Sequence, residues 1–168
     1  KINLSQILLT LEDTEQRRRA INAKRTFENL FELGFVPVVN ENDSIATTEI
    51  KYGDNDRLAS RVAQISGADC LVLLSDVDGL YTQNPKLFKN SQLIKEIKNI
   101  NSDIEKIATK SISEHGTGGM KTKIEAAKIC QLSGCMMAIA NGLSERPIKK
   151  IIEKNKCTWF LPKVSKLD

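Results

Sequence analysis

The sequence is poor in aromatic side chains and lacks the patterns that mark metal sites, secreted frameworks and membrane spans. Phe, Tyr and Trp make up 5% of the 168 residues, with one tryptophan and one histidine. Its four cysteines, Cys70, Cys130, Cys135 and Cys157, form no Cys-x-x-Cys, and none lies close to His115. That spacing argues against zinc and suits reduced, buried thiols in a cytoplasmic protein. No apolar run approaches the roughly 20 residues needed to span a bilayer. No secretory signal pattern opens the chain. Charge of one sign is scarce as well: 25 basic residues against 21 acidic ones give +4. Arg17, Arg18 and Arg19 form the one basic cluster, and few aromatics could stack on bases. A solvated helix face suits those arginines better than a nucleic-acid surface, so neither nucleic acid nor membrane is expected as a partner.

What is present suits one domain, since 40% hydrophobic residues can build a sizeable core. No internal repeat, low-complexity tract or linker interrupts it. Gln6–Thr10 reads as a buried strand, followed by an acidic helix start at Glu12–Glu15 and a helix running to about Leu33, stopped by Gly34. Phe35–Val39 reads as a second buried strand, with Pro37 placing it at a sheet margin. Ile45–Tyr52 alternates like a hairpin, and a helix from Asn55 or Asp56 carries Leu58, Val62 and Ile65 to Gly67. Cys70–Leu74 is a continuous apolar run that reads as a strand buried on both faces, as in a parallel sheet covered by helices.

Downstream, Ile94–Ile100 reads as a strand and Asp103–Lys110 as a short helix. A further helix spans about Gly119 to Leu132, and Met136–Ala140 is an apolar strand. Pro147 opens a helix through Ile151, as first-turn prolines do, and Thr158–Leu161 closes the pattern as a strand. This rhythm predicts an α/β fold: a three-layer αβα sandwich with a mainly parallel sheet.

Two stretches carry candidate chemistry. Asn40–Asp56 gathers Asn40, Asp43, Asp54, Asn55, Asp56 and Lys51 where a strand ends and a helix begins. Such residues also make turns and helix caps, but two acidic clusters flanking one connection are more than a turn requires. Gly116–Lys123, Gly-Thr-Gly-Gly-Met-Lys-Thr-Lys, precedes helical spacing. Its backbone N–H groups could crowd a phosphate at a helix N-terminus, where the dipole favours the anion. Lys121 and Lys123 add positive charge. The spacing of a Walker A loop is absent, and a plain glycine linker remains the alternative. His115 adjoins this loop, a position where a histidine is more often simply exposed. Ser75–Tyr81 leaves a strand's carboxyl end, where open α/β sheets bind ligands.

The series Asn40-Glu-Asn-Asp43, Lys51-x-Gly-Asp-Asn-Asp56, Leu73-Leu-Ser-Asp-Val-Asp-Gly-Leu-Tyr81 and Gly116-Thr-Gly-Gly-Met-x-Thr-Lys123 resembles the glutamate 5-kinases of the amino acid kinase family. The resemblance runs from Gln6 to about Leu161, with the motifs in family order. It implies transfer of the γ-phosphoryl group of ATP to the side-chain carboxylate of L-glutamate, the first step of proline biosynthesis, with magnesium on the phosphates. Asn40, Asp43, Asp54 and Asn55 would hold glutamate. Ser75 and Asp76 would contact the nucleotide, where the family more usually has Thr-Asp. Thr117, Gly118, Gly119, Met120, Lys121, Thr122 and Lys123 would wrap its phosphates. Lys123 would stabilise the transferring group, with Asp56 orienting it.

The same resemblance leads us to expect a homo-oligomer, feedback inhibition by proline through the loop bearing Thr47, Thr48 and Glu49, and a chain that is the C-terminal portion of one kinase domain. Family members begin with a strand and glycine-rich turn bearing a lysine and a serine, which do not match Lys1 and its neighbours. An RNA-binding-like C-terminal domain, found in some members, is also not expected. A non-catalytic nucleotide-binding or regulatory fragment is the alternative.

Overall fold

The computed structural model describes residues 1–45, 54–110, 119–153 and 156–165, with the backbone alone at 54 and 110. Strand β1 (Asn3–Leu9) leads through the short helix α1 (Leu11–Glu15) into α2 (Arg17–Glu32). The sequence reads these helices as one, but the backbone is extended at Gln16, with φ −74° and ψ 117°. A capping box starts α1: the Thr10 N–H donates to Asp13 Oδ2 at 2.8 Å, and the Asp13 N–H donates to Thr10 Oγ1 at 3.3 Å. On α1's far side, Glu15 accepts from Arg57 at 2.5 Å. A distant ion pair thus holds the carboxylate next to the break, and local propensity carries no trace of it. Gly34 follows α2 at φ +72°, the left-handed conformation that ends helices and that a side chain resists.

Strand β2 (Phe35–Glu41) lies parallel to β1, with Gln6 opposite Val38 and Leu8 opposite Asn40. After α3 (Asp54–Ile65) come β3 (Cys70–Ser75), β4 (Glu96–Ile97), α4 (Ser102–Lys110), α5 (Gly119–Leu132), β5 (Met136–Asn141), α6 (Pro147–Ile152) and β6 (Cys157–Phe160). Among the described residues the strands form two sheets, β1-β2 and β3-β5-β6-β4. All pairs are parallel except β5 with β6. Parallel pairing therefore dominates, as the strand–helix rhythm predicts. β4 is much shorter than the strand read at Ile94–Ile100.

The four-stranded sheet is the middle of three layers. Leu73, Met137, Ile139 and Phe160 face α3, α4 and α5 in the main core, while Val72, Ala140, Cys157 and Trp159 face Ile151 of α6. This is the period-2 alternation of a sheet covered on both sides. Two buried polar side chains tie the layers together. Gln131 on α5 donates to the carbonyls of Lys98 at 3.1 Å and Leu161 at 2.8 Å. Thr158 accepts from the Leu80 N–H at 2.8 Å and donates to the Ile94 carbonyl at 2.7 Å. Gly79 makes room for that lock, since a Cβ there would lie 2.4 Å from Thr158 Oγ1.

The two-stranded sheet is covered on one face only. Leu9, Ile7 and Val39 pack with Ala23, Phe27 and Leu58 from α2 and α3. Leu4, Leu8, Val36 and Val38 are exposed on the opposite face. The reading of β1 and β2 as buried strands therefore holds for alternate residues. The same limit applies to β3, where Leu73 is buried but Cys70 and Leu74 are exposed. All four cysteines are free thiols, with Cys130, Cys135 and Cys157 buried.

Candidate functional site

Helices α3 and α5 pack side by side, and their first turns meet. Asp56 in the first turn of α3 faces Thr122 and Lys123 at the start of α5. Lys123 Nζ donates to Asp56 Oδ2 at 3.0 Å, and Thr122 Oγ1 lies 2.7 Å from the same oxygen. Thr122 Oγ1 also lies 3.1 Å from the Gly119 carbonyl, so its single proton has two acceptors within reach. The side chains of Lys123 and Asp56 are only 16% and 19% exposed, a degree of enclosure that sets this pair apart from surface ion pairs of little consequence.

The charges at these helix ends are informative. Asp56 is favourably placed at the positive end of α3. Lys121 and Lys123 lie at the positive end of α5, whose first turn has no acidic residue. Cations there oppose the dipole, so Asp56 offsets one of them and an anion would offset both. Two converging helix N-termini with these lysines would favour a multiply charged anion such as a phosphate chain.

A cleft of about 360 Å³ opens between β2 and β3, with α3 as its floor. Its lining is mainly apolar, including Leu58, Val62 and Leu71, and it includes both Asn40 and Asn55. Two residues expected to hold glutamate thus share one cleft, and Asn55 immediately precedes Asp56 on α3. Asp43 is exposed in the turn after β2, where the Ile45 N–H donates to the Asn42 carbonyl at 3.2 Å. Ser75 ends β3, and its hydroxyl donates to the exposed Asp76 at 3.1 Å. Gly119 and Met120 open α5, with the Met120 side chain packed against the main core, while Lys121 is exposed. Thr117, Gly118, His115 and the hairpin bearing Lys51, Thr47, Thr48 and Glu49 lie outside the described residues. The side chain of Asp54 does so too.

Beyond β3 is a polar network that the sequence reading did not single out. Asp78 accepts from the Tyr81 hydroxyl at 2.9 Å and from Asn141 Nδ2 at 3.3 Å. Asn141 in turn accepts from the Leu143 N–H at 2.9 Å. Burial, and then the bond to Asp78, push the Tyr81 phenol above its usual range. Asn141-Gly142 after an apolar strand was the available signal, but its partner lies 63 residues earlier. A hydrogen bond with Cys135, and then burial, raise Cys130 far above the ordinary thiol range, and burial raises Cys157.

Among the described residues no group of three or more His, Cys, Asp or Glu side chains could cage a metal ion, and no helix is long and apolar enough to cross a membrane.

Comparison with known proteins places these features in context. The chain is 86% identical over all 168 residues to a protein of Pelagibacter ubique (strain HTCC1062) named glutamate 5-kinase, covering 46% of it. It is 52% identical over 162 residues to the glutamate 5-kinase of Paramagnetospirillum magneticum (strain ATCC 700264 / AMB-1), covering 96% of this chain and 44% of that one. The chain thus spans about half the length of the curated relatives it matches.

In fold it is similar to the UMP kinase from Ureaplasma parvum, with a TM-score of 0.62 at 15% identity over 95% of this chain and 60% of that one. It is similar also to the carbamate kinase from Giardia lamblia bound to AMP-PNP, with a TM-score of 0.58 at 18% identity over 83% and 44% of the two chains. The model of the amino acid kinase family matches residues 1–141. The strand–helix order, the parallel-dominated sheets and this match agree: the chain belongs to the amino acid kinase family.

Proposed function

We propose that the protein transfers the γ-phosphoryl group of ATP to the side-chain carboxylate of L-glutamate, forming glutamyl 5-phosphate. The observation that carries this reading is the enclosed Lys123–Asp56 pair where α3 and α5 meet. Glutamate as the acceptor is supported by similarity to the Pelagibacter ubique protein. The first step of proline biosynthesis is the corresponding pathway role, and the cytoplasm is the corresponding location.

A carboxylate is ionised and nucleophilic at neutral pH, so no general base is required. The obstacle is charge, because an anion must approach a polyanion. Catalysis is then mainly positioning and electrostatic stabilisation. Lys123 supplies positive charge to the transferring group, and Asp56 fixes the direction of its ammonium. The amides at Thr117–Met120 and the cation of Lys121 hold the phosphate chain. Thr122 contributes its hydroxyl beside Asp56. Ser75 and Asp76 meet the nucleotide at the end of β3. Asn40, Asp43, Asp54 and Asn55 hold glutamate on the other side of Asp56. Magnesium bound with ATP would neutralise phosphate charge.

A homo-oligomer and inhibition by proline belong to the same reading. Proline retains the α-amino and α-carboxylate groups of glutamate without the reacting carboxylate. It should compete with glutamate, and shortening 46–49 should weaken that inhibition more than catalysis.

The deciding experiment is Lys123→Ala in the complete polypeptide. Turnover should fall by roughly a hundredfold to a thousandfold with little change in ATP affinity, the signature of a contact made in the transition state. Unchanged turnover would overturn the assignment. Asp43→Ala or Asn55→Ala should raise the KM for glutamate and leave that for ATP nearly unchanged. A parallel loss of ATP binding would move these residues to the nucleotide side.

A further inference from the structure

We propose that Asp78 is a positioning residue for the nucleotide, a latch that holds the loop after β3 against the turn after β5. This inference rests on the nucleotide reading given above for Ser75 and Asp76.

Three observations carry it. First, β3 and β5 are parallel neighbours, so both loops emerge at the carboxyl edge of one sheet, with Ser75 opposite Asn141. The crevice at such an edge is where α/β sheets take ligands. Second, Asp78 uses both carboxylate oxygens: Oδ2 receives the Tyr81 hydroxyl within its own loop, and Oδ1 receives Nδ2 of Asn141, the last residue of β5. The orientation of the Asn141 amide follows from its other contact. Its oxygen receives the Leu143 N–H at 2.9 Å, which leaves its NH₂ group for the carboxylate.

Third, the rest of the loop is anchored at points that leave Asp78 as its one described side-chain link to β5. Gly142 N–H donates to the Ser75 carbonyl at 2.8 Å, and Leu80 N–H donates to Thr158 at 2.8 Å. Between these anchors lie Asp76, Val77 and Asp78. The carboxylate of Asp78 therefore fixes the short segment that presents Asp76, and it fixes the ring of Tyr81 beyond it. Hydrogen bonds to a charged acceptor are the stronger kind, so such a bridge can hold a loop in one geometry.

The test is calorimetric titration of the chain with ATP in magnesium chloride, for wild type, Asp78→Ala, Asp78→Asn, Asn141→Ala and the double variant Asp78→Ala/Asn141→Ala. Loss of the carboxylate should weaken ATP binding by about tenfold or more, in line with bonds to a charged group. Asn141→Ala should weaken it less, and the double variant no more than Asp78→Ala, because both removals cut one bridge. Asp78→Asn keeps an acceptor for Tyr81 and should fall between wild type and Asp78→Ala.

Thermal unfolding of each variant separates positioning from folding. A merely structural role would lower the melting temperature while leaving the Kd for ATP unmoved, and that result would overturn the inference. Additive losses in the double variant would overturn it too. A wild-type chain that takes up no ATP would overturn the functional reading and this inference with it, whereas tight wild-type binding unchanged in Asp78→Ala would overturn the inference alone.

Discussion

Among the described residues the two sheets differ in both composition and cover: β1 and β2 mix polar residues among their apolar ones, whereas β3 and β5 are apolar up to a single polar residue at the end. β5 and β6 lie between helices on both faces, and their core residues Met137, Ile139 and Phe160 are fully buried. β1 and β2 have helices on one face, so Leu4, Leu8, Val36 and Val38 remain in contact with water. Helix α3 belongs to both regions. It gives Ala59 and Ala63 to the main core and Leu58, Val62 and Ile65 to the smaller one. Hydrophobic strands therefore do not by themselves make a buried sheet; the number of helical covers decides it. The candidate site lies beside the shared helix, so its geometry draws on both regions.

The largest effect that should sharpen this contrast comes from truncating a side chain on the covered sheet and one on the open face of the other. Phe160→Ala removes a ring with 0% exposure and should cost about 3–5 kcal/mol. Leu8→Ala removes a side chain on a residue 44% exposed and should cost well under half as much, about 1 kcal/mol. Urea unfolding monitored by circular dichroism gives both values, and equal losses would break the contrast.

A smaller loss is expected from Gln131→Met. It leaves the carbonyls of Lys98 and Leu161 without that donor, at about 1–3 kcal/mol, again by urea unfolding. Thr10→Ala in the smaller region should cost roughly 1 kcal/mol through loss of the capping box.

The smallest effect is a dependence on acid. Burial alone would raise Asp13, but hydrogen bonds from Thr10 and Arg19, with the charge of Arg19, outweigh it and hold this carboxyl below the ordinary 3.8. A lowered native value means that the stabilisation is fully present above about pH 3.8 and is lost as pH falls through the native value. Between pH 4 and pH 2, Asp13→Asn should flatten the decline in melting temperature slightly relative to wild type. Parallel curves would show that the box contributes nothing through its charge.

Much of the fold could be read from the sequence because local patterns carried it. Gly34 and Gly67 mark helix ends, and Pro147 marks a helix start. The run Met136–Ala140 is a strand at nearly the observed bounds. What escaped was set by distant partners. The break at Gln16 sits beside a carboxylate that Arg57 holds from α3, and nothing near Gln16 announces it. The exposure of Leu74 and Val38 depends on which helices reach each face, which an apolar run cannot report. At the candidate site, the glycines, lysines and carboxylates stood out by type and spacing. The Asp78–Asn141 bridge did not, because Asx residues after strands usually mean turns and only the sheet's register brings these two together.

Gln131 has a mechanical consequence. Helix α5 is 14 residues long, a rod of about 21 Å at 1.5 Å per residue. Gln131 clamps its far end to Lys98 and Leu161, and Lys123 rides near its other end, where Asp56 holds it. A rod held at both ends keeps its aim only while both holds last, so a slip at the Gln131 clamp shifts the tip against Asp56. Loosening the clamp would misdirect the ammonium without touching any residue beside it. In a library of variants selected for activity, substitutions around Gln131 should therefore surface as aiming errors at a distance rather than as losses of chemistry.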